Sequence, residues 1–340
     1  MLEASVGDDV RGEDPTVNKL QNIVAEMTGF ESSLFVCSGV MSNQIAVRTH
    51  VTELSSTKDV PFISVICDSR SHMFDHELGG IAFHSNSQCI PINPLHFNSP
   101  FLTADIIKKY INLSNDLHSC VSYLVLLENT LGGDILPLSE IIKIKELCDE
   151  FGLQLHLDGA RLWNACIANN LTLKDYSQYT HSLSLCFSKG LGAPIGSILC
   201  GNTKFINKSK IYRKSFGGGW RQSGYLAAAA LYAINNNWKR MIVDHQNAFY
   251  FYENALKIGF TTASVPQTNM VWLNCSNFNT NWQSIIKNIN KIQDENKTEK
   301  SERIYLEGEG LICRIVFHLQ IPKLGADKLL GLLKQSVNQI

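Results

Sequence analysis

Two short stretches carry residue types whose chemistry depends on being held close together. Leu153–Leu157 reads as a short apolar strand that delivers Asp158, Gly159, Ala160 and Arg161 to its end. A second such run, Leu183–Phe187, ends in Ser188-Lys189-Gly190-Leu191-Gly192-Ala193-Pro194 and leaves a lone lysine in a glycine-flanked turn. A carboxylate and an amine at neighbouring strand ends suit a Schiff-base cofactor. The amine holds an aldehyde, and the acid at the ring nitrogen keeps the ring an electron sink. Taken singly, Asp158 also reads as a helix cap and Lys189 as a solvated loop cation. Together, in these contexts, the chemical reading is favoured.

A sheet must position these groups. Strand-like runs occur at Phe62–Cys67, Tyr123–Leu127, Leu153–Leu157, Leu183–Phe187 and Ile195–Cys200, separated by helix-like stretches such as Ser139–Phe151. Apolar strands alternating with helices predict an α/β fold with a mostly parallel sheet covered on both faces. Functional residues then gather at strand C-termini, and His72, Glu128, Asp158 and Lys189 each follow a strand closely. Upstream, Asp14-Pro15 opens a helix with Val17, Leu20, Ile23, Val24 and Met27 on one face, and Gly29 closes it. Ser33–Cys37 reads as a strand, followed by Ser38-Gly39 and a helix from around Met41. Backbone N–H groups at such a helix start can cradle a phosphate, although many α/β turns share the pattern.

Beyond the alanine-rich helix around Leu226–Ile234 the pattern changes to helix, strand, helix, with Asn269–Leu273 and Leu311–Phe317 as the clearest strands. This divides the chain into a large domain, residues 1–239, and a smaller C-terminal α/β domain, residues 240–340. Asn288–Arg303 is polar and shows no apolar stripe, so it reads as a surface loop or frayed helix.

Composition narrows the partners. Thirty Lys and Arg face 31 Asp and Glu, so no global field draws the chain to nucleic acid or a membrane surface, and small or zwitterionic ligands are favoured. Ten cysteines without a CxxC pair read as reduced, buried thiols of a cytoplasmic protein, and His/Cys spacing indicates no metal site. Neither a signal peptide nor a membrane-spanning apolar run is apparent, which adds to the expectation of an intracellular, soluble protein.

His156-Leu157-Asp158-Gly159-Ala160-Arg161-Leu162-Trp163-Asn164-Ala165 and Ser188–Ser197 together resemble the threonine aldolases. These are enzymes dependent on pyridoxal 5′-phosphate (PLP), of fold type I, the aspartate-aminotransferase type. Further similar motifs follow in family order: Gly7–Val10, Gly12–Val17, Leu127–Thr130, Gly217–Gly224 and Thr268–Met270. The resemblance implies that Lys189 forms the Schiff base and that Asp158 pairs with the pyridinium nitrogen. His72 would stack on the ring near the substrate hydroxyl, and Ser38, Gly39 and Val40 would hold the phosphate. Arg161 and Arg314 would hold the substrate carboxylate, a task suited to the planar guanidinium. Arg314 lies in the apolar run Cys313-Arg314-Ile315-Val316, where an unpaired arginine would be costly; this too favours an anionic partner.

The implied activity is aldol cleavage of L-threonine or L-allo-threonine to glycine and acetaldehyde, with His72 or a water it positions taking the hydroxyl proton. The alternatives are another PLP-dependent lyase or racemase on this fold, or a pseudoenzyme. A homotetramer built from dimers is implied, with Arg213, Lys214 and Arg221 in the segment that approaches a neighbouring subunit's cofactor. Three positions depart from relatives: Val40 for a threonine, Arg11 for a tyrosine and Leu131 for a histidine near the substrate hydroxyl. Met1–Asp9 joins the family pattern midway, so the expectation is that a segment with a carboxylate-binding serine precedes it in relatives. Residues 1–340 alone are then expected to bind PLP but to cleave threonine poorly.

Overall fold

The computed structural model describes residues 1–55, 62–114 and 117–339, which fall into two compact units. One lies within Met1–Leu131 and Ile135–Trp238, the other within Gly132–Asp134 and Lys239–Ile340.

In the first unit, Asp14 shows how local chemistry starts the fold. Its Oδ1 accepts from the backbone N–H groups of Thr16 and Val17, both at 3.0 Å, and Pro15 fills the first helical position. Helix α1 (Pro15–Thr28) follows and ends at Gly29, whose φ is 73°. Val17, Leu20 and Val24 recur on its inner face, and burying each contributes roughly 1.5–3 kcal/mol. Asp14 Oδ2 also accepts from Gly7 N at 3.1 Å and Gly224 N at 2.9 Å, so one buried carboxylate joins three distant segments.

The strands are β1 (Ser32–Val36), β2 (Ile63–Asp68), β3 (Gln88–Ile92), β4 (Val121–Glu128), β5 (Gln154–Gly159), β6 (Ser182–Cys186) and β7 (Ser197–Gly201). They form one seven-stranded sheet in the order β1-β7-β6-β5-β4-β2-β3. Strands β3, β2, β4, β5 and β6 are mutually parallel, while β7 runs antiparallel to both β6 and β1. The mostly parallel sheet expected from the sequence is therefore present. Because β1 is reversed twice relative to β6, its C-terminal end lies at the same edge as those of β2, β4, β5 and β6. Helix α2 (Gly39–Ser55) begins at that edge and packs across β4 to β7. Strand β3 was not apparent in the sequence. Its Pro91 lacks an N–H and is tolerated because β3 is an edge strand.

The second unit pairs β8 (Met270–Asn274) antiparallel with β9 (Ile312–Val316) and packs them on the helices Met241–Ile258, Trp282–Glu295 and Lys323–Val337. Two sequence expectations need correction here. Residues 288–295 belong to a regular helix with an apolar face, in which Trp282, Ile285, Ile289 and Ile292 are buried. Its first two anchors precede Asn288, so the stripe is invisible in a window starting there. Gln293 then pins the returning chain, donating to Ile304 O at 3.0 Å and accepting from Ile304 N at 2.8 Å.

The second correction concerns Arg314. Cys313, Ile315 and Phe317 alternate inward, so Arg314 is exposed instead of buried in an apolar strand. It stands opposite Trp272 in the ladder, with its guanidinium carbon 5.7 Å from the indole ring centre. The burial argument for an anionic partner therefore does not hold.

Candidate active site

Ser38, His72, Glu128, Asp158, Arg161 and Lys189 lie at or just beyond strand ends on the shared sheet edge. Asp158 lies near the end of β5 and is 3 % exposed. Gly159 must be small because a Cβ there would come within 2.8 Å of Leu183 Cδ1 and Ser184 O on the adjacent strand. Lys189 follows β6 in a turn closed by Gly192 N donating to Lys189 O at 2.9 Å. Among the described residues its half-buried amine has neither an ion pair nor a hydrogen bond. A partly desolvated amine with no protein partner fits a group awaiting a carbonyl carbon.

The Asp158 carboxylate is held from two sides. Its Oδ1 accepts from Ala160 N at 2.9 Å, and its Oδ2 accepts from Asn43 Nδ2 at 2.7 Å. The other Asn43 Nδ2 hydrogen goes to Glu77 Oε1 at 3.0 Å, and Gln44 Nε2 donates to Glu77 Oε2 at 2.6 Å. His72 Nδ1 also meets Glu77 Oε1 at 3.0 Å. Hydrogen bonding to Glu77 raises the His72 pKa, against burial and the Lys189 charge, which lower it.

Since both Asn43 amide hydrogens are spent on carboxylates, its Oδ1 accepts from His156 Nε2 at 3.3 Å. Burial pushes the His156 pKa down to about 4, so the ring is neutral and its Nδ1 accepts from Ser182 Oγ at 2.8 Å. Ser182 Oγ in turn accepts from His50 Nε2 at 2.7 Å, and burial holds the His50 pKa well below its usual value. The result is a buried line of hydrogen bonds all pointing toward Asp158.

Glu128, at the end of β4, accepts from the backbone N–H of His72 at 2.7 Å. Burial, reinforced by the nearby Asp158 charge, pushes its pKa up to about 8. His72, Glu77 and Asp158 present atoms within 4.8 Å of one another, a group that by type could ligate a metal ion. Asn43 already directs hydrogens at both carboxylates, which is the geometry of a hydrogen-bond bridge.

The turn after β1 is the start of α2. Ser38 Oγ accepts from Met41 N at 3.1 Å and Ser38 O from Ser42 N at 3.1 Å. The N–H groups of Gly39 and Val40 lack intrahelical acceptors by position and add to the positive end of a 17-residue helix. A Cβ on Gly39 would fall 2.9 Å from Cys186 Sγ, so close passage of this turn over β6 requires glycine. Val40 is 39 % exposed. This donor set fits a phosphate, and together with Lys189 and Asp158 it fits PLP.

Arg161 stands half-buried at the N-terminus of the helix Leu162–Asn169, three residues beyond Asp158. Arg314 belongs to the second unit. Arg213 is buried in its own chain: it pairs with Asp9 at 2.9 Å and donates to Phe35 O at 2.8 Å. Lys214 and Arg221 are exposed, and Arg221 pairs with Asp8.

Sequence reasoning gave no role to Asn43, Glu77 or His156. A signal existed for the first: Ser42-Asn43-Gln44 is a polar triplet inside a helix whose next turn is apolar, and all three are buried. Three buried polar side chains in succession demand partners.

Residues 1–277 match a family described as Beta-eliminating lyase. The chain is 44 % identical over 275 residues to the low specificity L-threonine aldolase of Saccharomyces cerevisiae, covering 80 % of this chain and 69 % of that one. It is 37 % identical over 327 residues to the protein of the same name from Escherichia coli K12, covering 95 % and 90 %. A solved structure of Leishmania major threonine aldolase superposes with a TM-score of 0.76 at 18 % identity, covering 99 % of this chain and 93 % of the other, which supports the fold.

Proposed function

The chain belongs to the beta-eliminating lyase family, and on that premise we propose that it is a PLP-dependent aldehyde-lyase cleaving L-threonine and L-allo-threonine to glycine and acetaldehyde. The observation that carries this reading is the placement of Lys189, whose amine has no hydrogen bond or ion pair among the described residues, beside a doubly hydrogen-bonded carboxylate, Asp158, at adjacent strand ends. When bound, PLP supplies a conjugated pyridinium that accepts the electron pair left on Cα when the Cα–Cβ bond breaks.

The chain's own residues do the rest. Lys189 holds the aldehyde carbon of the cofactor, and Asp158 holds the proton on its ring nitrogen, a charge pairing made effective by burial. Ser38, Gly39 and Val40 hold the phosphate through backbone donors. Arg161 holds the substrate carboxylate, and so decides which bond at Cα stands perpendicular to the ring. Glu77 accepts from Nδ1–H of His72, which leaves Nε2 of the neutral ring with a lone pair. That atom takes the β-hydroxyl proton, directly or through one water.

Homologues of the same name support the substrate assignment, and with it a role in threonine breakdown and glycine supply. A homotetramer is part of this reading, with exposed Lys214 and Arg221 in the segment that faces a neighbouring subunit. Ten free cysteines are in keeping with a reducing cytoplasmic setting. No helix among the described residues is long and apolar enough to cross a membrane.

Product analysis tests the reading. Purified protein supplied with PLP and L-threonine should form glycine and acetaldehyde in equal amounts. Formation of 2-oxobutanoate and ammonia would identify an eliminating lyase instead, and an epimerised threonine would identify a racemase.

A further inference from the structure

Two thiols lie against each other beside the candidate active site and take no part in it. Cys67, in β2, is fully buried; Cys89, in β3, is partly exposed on the edge strand of the sheet. Cys89 stands opposite Val65 in the parallel ladder, two residues from Cys67, and the two Sγ atoms are 3.3 Å apart. A disulfide needs about 2.05 Å between the sulfurs, and because the two residues stand diagonally across the ladder, the edge strand β3 must shift toward β2 for the bond to close. Both cysteines are free.

We propose that Cys67 and Cys89 form a reversible dithiol/disulfide site that reacts with hydroperoxides. Cys89 is the more accessible of the two and takes the attacking role, while burial keeps Cys67 as the resolving partner. The hydrogen bond between the two sulfurs holds the Cys89 pKa down and, with burial, the Cys67 pKa up, which favours Cys89 as the thiolate. In the first step the Cys89 thiolate attacks one peroxide oxygen and becomes a sulfenic acid, while the other oxygen leaves and is protonated to water. In the second, the Cys67 sulfur attacks the Cys89 sulfur, its proton leaves with the hydroxyl as a second water, and the S–S bond forms. The two sulfurs together lose two electrons, and the hydroperoxide is reduced by two. The closed loop contains His72 and Glu77, so the bond ties together the two ends of the segment that carries this pair.

The test is to treat the full chain, loaded with PLP, with hydrogen peroxide and count thiols after denaturation. The expected loss is two of ten, with a dithiothreitol-cleavable link between the peptides containing Cys67 and Cys89. Cys67→Ser should then accumulate a dimedone-trappable sulfenic acid on Cys89. Peptide mapping of the unaltered chain decides the matter even if that variant fails to fold. No thiol loss, a link involving other cysteines, or a link between two chains would overturn the proposal.

Discussion

Asn43 Nδ2 lies 2.7 Å from Asp158 Oδ2 and 3.0 Å from Glu77 Oε1, so one side-chain amide spends both hydrogens on two carboxylates. This bridge joins the acid proposed for the cofactor ring to the acid that orients His72. A hydrogen bond to a charged group contributes about 1.5–3 kcal/mol. Asn43→Ala should therefore lower kcat/KM by roughly one to two orders of magnitude. Asp158→Asn should cost more, chiefly in kcat, because it removes the anion itself. Steady-state kinetics of both variants check the order, and an Asp158→Asn enzyme with normal kcat would remove the electron-sink argument.

Glu77→Gln addresses the other end of the bridge. Glu77 is the main cause of the raised His72 pKa, and once it is neutral, burial is the largest remaining influence and acts in the opposite direction, with only the Asp158 charge still raising the pKa. The His72 pKa should fall, which an NMR titration of its ring protons reads directly. The ascending limb of kcat/KM against pH should move down with it. An unchanged titration would mean that the His72–Glu77 contact is not formed in solution.

The buried Glu128 carboxyl makes stability depend on pH with a definite sign. Its folded pKa of about 8 exceeds the usual 4.5, so between these values the native state keeps a proton that the unfolded chain loses. Stability from this group is greatest below 4.5 and declines as pH rises to about 8. The thermal midpoint of the cofactor-free protein should fall across that window, and Glu128→Gln should flatten the fall. Equal slopes for the two proteins would contradict the assignment.

How the conformation became legible differs from residue to residue. Lys189, Asp158 and His72 could be read because each follows an apolar run, and parallel strands bring their C-termini to one edge. Asn43 could not be read in the same way, since its meaning arises from partners 34 and 115 residues away, Glu77 and Asp158. Arg314 misled for a different reason. Apolar neighbours in sequence suggested burial, but two-residue alternation turns Arg314 outward while Cys313 and Ile315 turn inward. Strand β3 was hidden by Pro91, a residue compatible with a strand only at an edge.

Arg161 offers a substrate-side test. Arg161→Lys keeps the charge but loses the bidentate fork, so KM for L-threonine should rise several-fold, with kcat affected less. Cofactor affinity, read from absorbance, should change little. A variant with unchanged KM would place the carboxylate elsewhere.

The central claim is that Lys189 is the cofactor-bearing amine. Protein incubated with PLP, reduced with borohydride, digested and mapped by mass spectrometry should carry the pyridoxyl label on the peptide containing Lys189. Lys189→Ala should abolish that label while its Asp158 and Ser38–Val40 contacts can still retain free PLP. A label on any other lysine, or an unchanged label in the Lys189→Ala protein, would contradict the account.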